Sequence, residues 1–343
     1  MIFRTEIDIA PPGPEMAGMP GMTLDHATPV FAVGSCFAES IACRLARAKF
    51  SVTKNPFGVV FNPASIASEI ERLLSGKPYT ASDMVSDGGL WYSWEHHGSL
   101  STPTLDGALE KANAALAQGS KALREAGTLI VTLGTAWVYE REGRVVSNCH
   151  KAPAGEFTRR RMEVDEVVET LARTFAKLAE KLPAKNIILT VSPVRHVKDG
   201  LAENSLSKAT LIVAAHRLTA YAHYFPAYEI VIDDLRDYRF YGADMVHPSE
   251  QAVDYVWEKF CEAMMSAATR EVAHEAERLA EAMAHRPLNP ATEGHRAFLR
   301  VMHGRCAALA ASHPGLDLRA ELAYFSAAAA EPSAAPAPVS SAQ

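Results

Sequence analysis

"VFAVGSCFAESIACRLARAKF", Val30 to Phe50, decides how this chain is read. The stretch "TPVFAVG" is a short, continuously apolar run that suits a buried strand, and it stops at Gly34. From Ala38 to Lys49 the apolar residues recur at helical spacing. A buried strand that passes through a glycine into a helix is the repeating unit of a parallel α/β sheet. The same junction poses a chemical question, because Ser35 and Cys36 stand together at the mouth of the helix. A strand-to-helix turn exposes a side chain and aims N–H groups of the helix N-terminus at developing negative charge. Ser35 therefore reads either as an activated nucleophile or as an N-cap, the commonest role of serine at a helix start. Cys36 is the rival nucleophile, since a thiol needs less activation. A shift of one residue should turn it from the cleft toward the core, which favours a small buried hydrophobe.

Outward from that junction the alternation continues. "FSVTKNPFGVVFNP" reads as strand plus turn, and Asn62-Pro63 opens a helix through about Leu74, with proline suited to its first turn. "GGLWYSWEHHGS" is aromatic and irregular, in the manner of a short hairpin, and Asp106 to Glu125 is an Ala/Leu-rich helix. "GTLIVTLGTAWVYE" is the clearest central strand, and "EGRVVSNCHKAP" its hairpin return. Asp165 to Lys181 is an amphipathic helix, "KNIILTVSPVRH" a buried strand, and Leu206 to Ala222 helical. "YEIVIDDLRDYRFYGADMVHPS" reads as strand, acidic loop and helix start. Together these predict a doubly wound parallel sheet over residues 1–260. Upstream, "FRTEIDI" alternates like an edge strand and "MAGMPGMT" is a loop. Residues 261–326 form a helical extension: one long helix from Gln251 to about His285, then a second from Thr292 to Ala311. From about Ala327 to Gln343 the Ala/Pro/Ser composition predicts a disordered tail.

Composition narrows the function classes. A net charge of -6 offers no electrostatic footprint for nucleic acid or an anionic membrane. No apolar run is long enough for a membrane span, and "MIFRTEIDIAPPGPEM" lacks the basic and apolar segments of a signal peptide. The cysteines Cys36, Cys43, Cys149, Cys261 and Cys306 are scattered, without a C-x-x-C pair. That pattern fits reduced thiols in a cytoplasm better than a disulfide frame or a zinc site. A small-molecule substrate is the expected partner.

In a parallel α/β sheet, ligands bind beyond the carboxyl ends of the strands. Ser35, Asn55, Gly58, Gly134, Thr135, Ser192, His196, Asp244 and His247 all follow apolar runs. In "ADMVHPS", Asp244 stands three residues before His247, so its carboxylate can hold one imidazole nitrogen while the other faces the cleft. Either residue could instead be only a cap. Trp94 and His97 belong to an aromatic cluster that walls an acyl or sugar pocket or is simply core. His150, or Asn148, could reach the cleft from the return hairpin. Arg195 and His196 suit a carboxylate or phosphate on the substrate, and a structural salt bridge is an equally good reading. No ligand spacing supports a metal site.

The motifs "GSCFAESI", "NPFGVVFNPASIA", "LGTAWVYE", "NCHKAP", "SPVRH" and "DMVHPS", taken in order, resemble the GSCFA family, which is grouped with the SGNH/GDSL hydrolases. The resemblance spans about Phe3 to Phe260. It implies an SGNH-like three-layer α/β sandwich with a central, mainly parallel sheet, here carrying the C-terminal helical appendage. It also implies an acyl-enzyme mechanism without a cofactor. Ser35 matches the nucleophile, Asp244 and His247 the last block, and Gly58 the glycine whose N–H serves the oxyanion. The third block normally reads Gly-x-Asn-Asp and its Asn donates to the oxyanion, but this chain has Gly134-Thr135-Ala136-Trp137. Asn148 and Asn55 are the candidate replacements, with the Thr135 hydroxyl a third. The expected activity is cleavage of an acyl ester, such as an acylated carbohydrate. Acyl transfer with the same triad, or a non-catalytic binding protein that kept the fold, are the alternatives.

Overall fold

The computed structural model describes residues 7, 9, 23–290 and 292–330, the last three as backbone only. The strand expected over residues 3–9 and the loop expected over 16–23 fall almost wholly outside that set, as does the tail beyond 330. In chain order, β1 (Val30–Gly34) leads into α1 (Cys36–Arg47), β2 (Val52–Lys54) and α2 (Pro63–Ser75). A hairpin of β3 (Val85–Asp87) and β4 (Leu90–Tyr92) precedes α3 (Leu105–Glu125) and β5 (Thr128–Leu133). Then come β6 (Trp137–Arg141), β7 (Arg144–Val146), β8 (Thr158–Arg161), α4 (Val164–Lys181), β9 (Asn186–Val191), α5 (Leu201–Arg217) and β10 (His223–Phe225). The short α6 (Ala227–Glu229) runs on into a π-helical turn over Ile230–Leu235. Four helices follow: α7 (Glu250–Met264), α8 (Ala267–Ala284), α9 (Glu293–Ser312) and α10 (Arg319–Ala330).

The central sheet has the order β10-β9-β5-β1-β2, and every pairing in it is parallel. Both of its faces are buried, which is why its longer strands read as unbroken apolar runs. Phe31 and Val33 join the core made with α2 to α5. Alternation turns Val30 and Ala32, equally buried, to the opposite face. The register carries that second face across to Phe225, whose ring meets Phe260 of α7 edge-on at 5.2 Å. Arg44 of α1 pairs with Glu250 and Asp254 of α7 on this side. The result is helices, sheet, helices, with the ends of all five strands along one edge.

Three elements differ from expectation. "GTLIVTLGTAWVYE" is two strands: β5 belongs to the central sheet, whereas β6 is the middle of a separate antiparallel sheet, β7-β6-β8. "YEIVIDDL" is helical turn, not strand; Ala227, Ile230 and Val231 bury one side at helical spacing, and His223–Phe225 supplies the edge strand instead. The long helix expected from Gln251 breaks after Met264, where Met265 bridges to Leu24.

The chain divides into two compact units, one of Met1–Arg44 with Ser51–Ser266, the other of Leu45–Phe50 with Ala267–Gln343. The second unit has its own core, including Ala276, Leu299, Cys306 and Phe325. Helix α10 carries on to Ala330, past the start of the tail expected from Ala327, and residues 331–343 lie outside the described set. Among the described residues, no helix is long and apolar enough to cross a membrane.

Candidate active site

Gly34 has φ +136°, and a side chain there would come within 2.2 Å of the Thr132 carbonyl oxygen, so only glycine makes this turn. Ser35 follows. Its N–H donates to Thr132 O at 3.1 Å, and its carbonyl accepts from Ala38 N–H at 2.8 Å. Its hydroxyl is buried and, among the described residues, has no hydrogen-bond partner, so it does not cap α1. Asn55 holds the turn from behind: its Oδ1 accepts Gly34 N–H at 2.9 Å and its Nδ2 donates to Glu39 at 3.4 Å. Both ends of that amide thus make a bond that holds the turn. Gly58 is likewise engaged, because its N–H donates to Asn55 O at 2.8 Å.

Gly134, at the end of the neighbouring β5, lies against the serine. A methyl group there would stand 3.0 Å from Phe61 O, 3.3 Å from Ser35 Cβ and 3.4 Å from His196 Nε2. His196 Nε2 is buried and, like Ser35 Oγ, has no partner. Burial, with Lys208, His247 and Arg159 nearby, pushes the His196 imidazole down to about 4. One face of α5 fixes these loops. Asn204 Oδ1 accepts His196 N–H at 2.9 Å, and Ser207 Oγ meets Thr135 Oγ1 at 3.0 Å and Ala136 N–H at 2.7 Å. Lys208 Nζ donates to Gly134 O and Ser192 O, both at 2.6 Å. Lys208 is fully buried, which pushes its ammonium down to about 7.

Asp244 and His247 form the expected pair, with His247 Nδ1 2.7 Å from Asp244 Oδ2. Asp244 Oδ1 also accepts N–H groups of Val246 at 2.9 Å and His247 at 3.0 Å. The imidazole, then these two N–H groups, hold the carboxyl down to about 2. The His247 side chain is about half exposed (52%), and no hydrogen bond links it to Ser35. Arg195 serves this turn: its N–H donates to Val246 O at 3.1 Å, and its guanidinium lies 4.0 Å over the Tyr241 ring.

A cleft of about 470 Å³ opens beside Phe61, Asn62, Thr135 and His196, with Trp137, Tyr139, Asn148, Phe157, Lys151 and Lys198 among its walls. Thr135, Asn148 and His196 are thus brought to one cavity. The Asn148 Oδ1 accepts His150 N–H at 2.8 Å, fixing its own hairpin. His97 and His150 line a second cavity of about 570 Å³, which shares Asn148 and Lys151 with the first. His150 stacks on Tyr92 at 3.9 Å, and Trp94 packs against Tyr92 and Phe157. Burial pushes the Cys36 and Cys149 thiols up, which disfavours either as a thiolate nucleophile.

Sequence reasoning missed Asn62 and Lys208. From sequence Asn62 is a helix start, and its Oδ1 does cap α2 through Ser65 N–H, yet it also borders the cleft. The signal for Lys208 was present: Asn204, Ser207, Lys208 and Leu211 share one helix face, so polar side chains occupy core-facing positions.

Residues 29–260 match the GSCFA family, and residues 276–331 match the C-terminal domain of GSCFA domain proteins. No curated protein matches the chain. Among solved structures, one similar chain is a candidate GDSL-like lipase from Parabacteroides merdae ATCC 43184. It is 12% identical, with 71% of this chain and 99% of that chain covered and a TM-score of 0.36.

Proposed function

Since the chain belongs to the GSCFA family, we propose that it is a serine-dependent acyl-ester hydrolase with Ser35 as nucleophile, His247 as base and Asp244 as its orienter. The observation that carries this reading is the Ser35 hydroxyl: buried, without a partner, and at the strand edge where ligands of parallel sheets bind. A buried hydroxyl without a bond is costly, and a nucleophile that must be free to attack accounts for it. The Asp244–His247 bond supports the rest, because a carboxylate on Nδ1 fixes the tautomer and leaves Nε2 to take a proton.

On this reading the ester carbonyl reaches Ser35 from the cleft and His247 closes on the hydroxyl. Oγ attacks the acyl carbon and its proton passes to His247 Nε2. The tetrahedral intermediate collapses, His247 returns that proton to the leaving alkoxide, and the alcohol departs. Water then attacks the acyl-Ser35 carbonyl as His247 takes its proton; the second tetrahedral intermediate collapses, His247 returns the proton to Ser35 Oγ, and the carboxylic acid leaves. Cysteines scattered through the chain without a C-x-x-C pair support work in a reducing compartment.

A fluorophosphonate probe tests the reading. It is expected to label wild type at Ser35 and not Ser35→Ala, with ester turnover lost and melting temperature nearly kept. His247→Ala should cost almost as much and Asp244→Asn less, since nucleophile and base act as a unit. Full turnover in Ser35→Ala would end the proposal. Products formed with an added alcohol or sugar acceptor separate hydrolysis from acyl transfer.

A further inference from the structure

Resting on that reading, the site lacks an evident oxyanion donor. The N–H groups of Ser35 and Gly58 are both engaged in backbone hydrogen bonds, and the amide of Asn55 is bonded to Gly34 and Glu39. The third block has no asparagine. A triad without such donors forfeits most of its transition-state stabilisation, so a polar hydrogen should point at the space beside Ser35.

His196 answers that description at the wall next to Ser35. His196 Nε2 and Ser35 Cβ border the same space over Gly134, where even a methyl group would crowd both. The ring nitrogen is buried and bonded to nothing. We infer that His196 is a catalytic residue whose neutral Nε2–H donates to the oxyanion that forms when Ser35 attacks the ester.

The chemistry favours donor over base. A base needs a carboxylate on its far nitrogen and affinity for a proton. His247 has Asp244, whereas His196 is buried, with Lys208 and Arg159 nearby, and both burial and those side chains disfavour a second proton. A neutral imidazole still carries one N–H, which suits a site that must stabilise charge without gaining it. Preorganisation is built in. The His196 backbone is tied to Asn204, and Gly134 O to Lys208, so the ring and the floor beneath it are set before the substrate arrives. Phe61 meets the ring edge-on at 5.8 Å and limits its rotation.

The test uses the full chain and a small p-nitrophenyl ester. First, wild type must turn over and take the fluorophosphonate at Ser35; if it does neither, the proposed function fails and this inference with it. Given turnover, His196→Ala is expected to lower kcat about 100- to 1000-fold with KM changed little. The acid limb of its kcat/KM profile stays where wild type has it, because His247 remains the base. His196→Gln, which brings an amide N–H near the old Nε2, is expected to recover at least tenfold of the loss. Thermal melting confirms that both variants fold. Three results would overturn the inference: kcat within a few-fold of wild type, a rise in KM alone, which makes His196 a substrate-binding side chain, or disappearance of the acid limb, which makes it the base.

Discussion

The methyl group that separates alanine from glycine fits at position 134 only if its neighbours give way. It would press on Phe61 O, Ser35 Cβ and His196 Nε2 at once, the closest at 3.0 Å. Overpacking of this kind typically costs about 1–3 kcal/mol. Gly134→Ala is therefore expected to lower ester turnover at least tenfold, far more than the few degrees it takes from the melting temperature. Glu69 makes a different single-residue prediction. Burial pushes its carboxyl from 4.5 up to about 8, with only Phe57 N–H, at 3.4 Å, working the other way. The folded state then binds more protons than the unfolded between those values, so this residue's contribution to stability falls as pH rises from 4.5 to 8. Glu69→Gln keeps an acceptor for Phe57 N–H and does not titrate. The melting temperature of the variant minus that of wild type should grow over this pH range. A flat difference would show that Glu69 ionises in the folded protein much as it does in water.

Helix α5 shows at the scale of an element how one face can organise two loops. Asn204, Ser207 and Lys208 between them hold His196, Thr135, Ala136, Gly134 and Ser192. Lys208→Met fits the buried stem but leaves two buried carbonyls without a donor, at about 1–3 kcal/mol each. The expected result is a lower melting temperature together with reduced kcat, measured by calorimetry and ester turnover. The sequence showed part of this arrangement. Continuous apolar runs marked β1, β5 and β9, and the rule that ligands bind past strand ends led to Ser35, Gly134 and His196. Local spacing alone paired Asp244 with His247. What could not be read was the fate of each hydrogen bond across the loops. Asn55 looked free because Gly34, its partner, lies 21 residues away. Likewise "GTAWVYE" looked like one strand with what precedes it, since apolar alternation does not record which sheet a strand joins.

At the scale of the whole molecule, the composition of the C-terminal segment changes near residue 330. Helix α10 reaches Ala330 and Phe325 is fully buried in the second unit, whereas residues after 330 are rich in Ala, Pro and Ser. Deletion of residues 331–343 is expected to leave melting temperature and turnover unchanged, while deletion from Arg319 should lower the melting temperature. In the first unit, the order β10-β9-β5-β1-β2 has a consequence in time. The turn that presents Ser35 is closed by β5, about a hundred residues downstream, through Ser35 N–H to Thr132 O. Its second wall, His196, arrives with β9, later still. Long-range parallel pairings of this kind form slowly, after helices have formed locally. Ser35 thus precedes in the chain both strands that put it in place. On dilution from denaturant, helical circular dichroism should return well before fluorophosphonate labelling at Ser35, leaving an interval in which the chain has its helices and no active site.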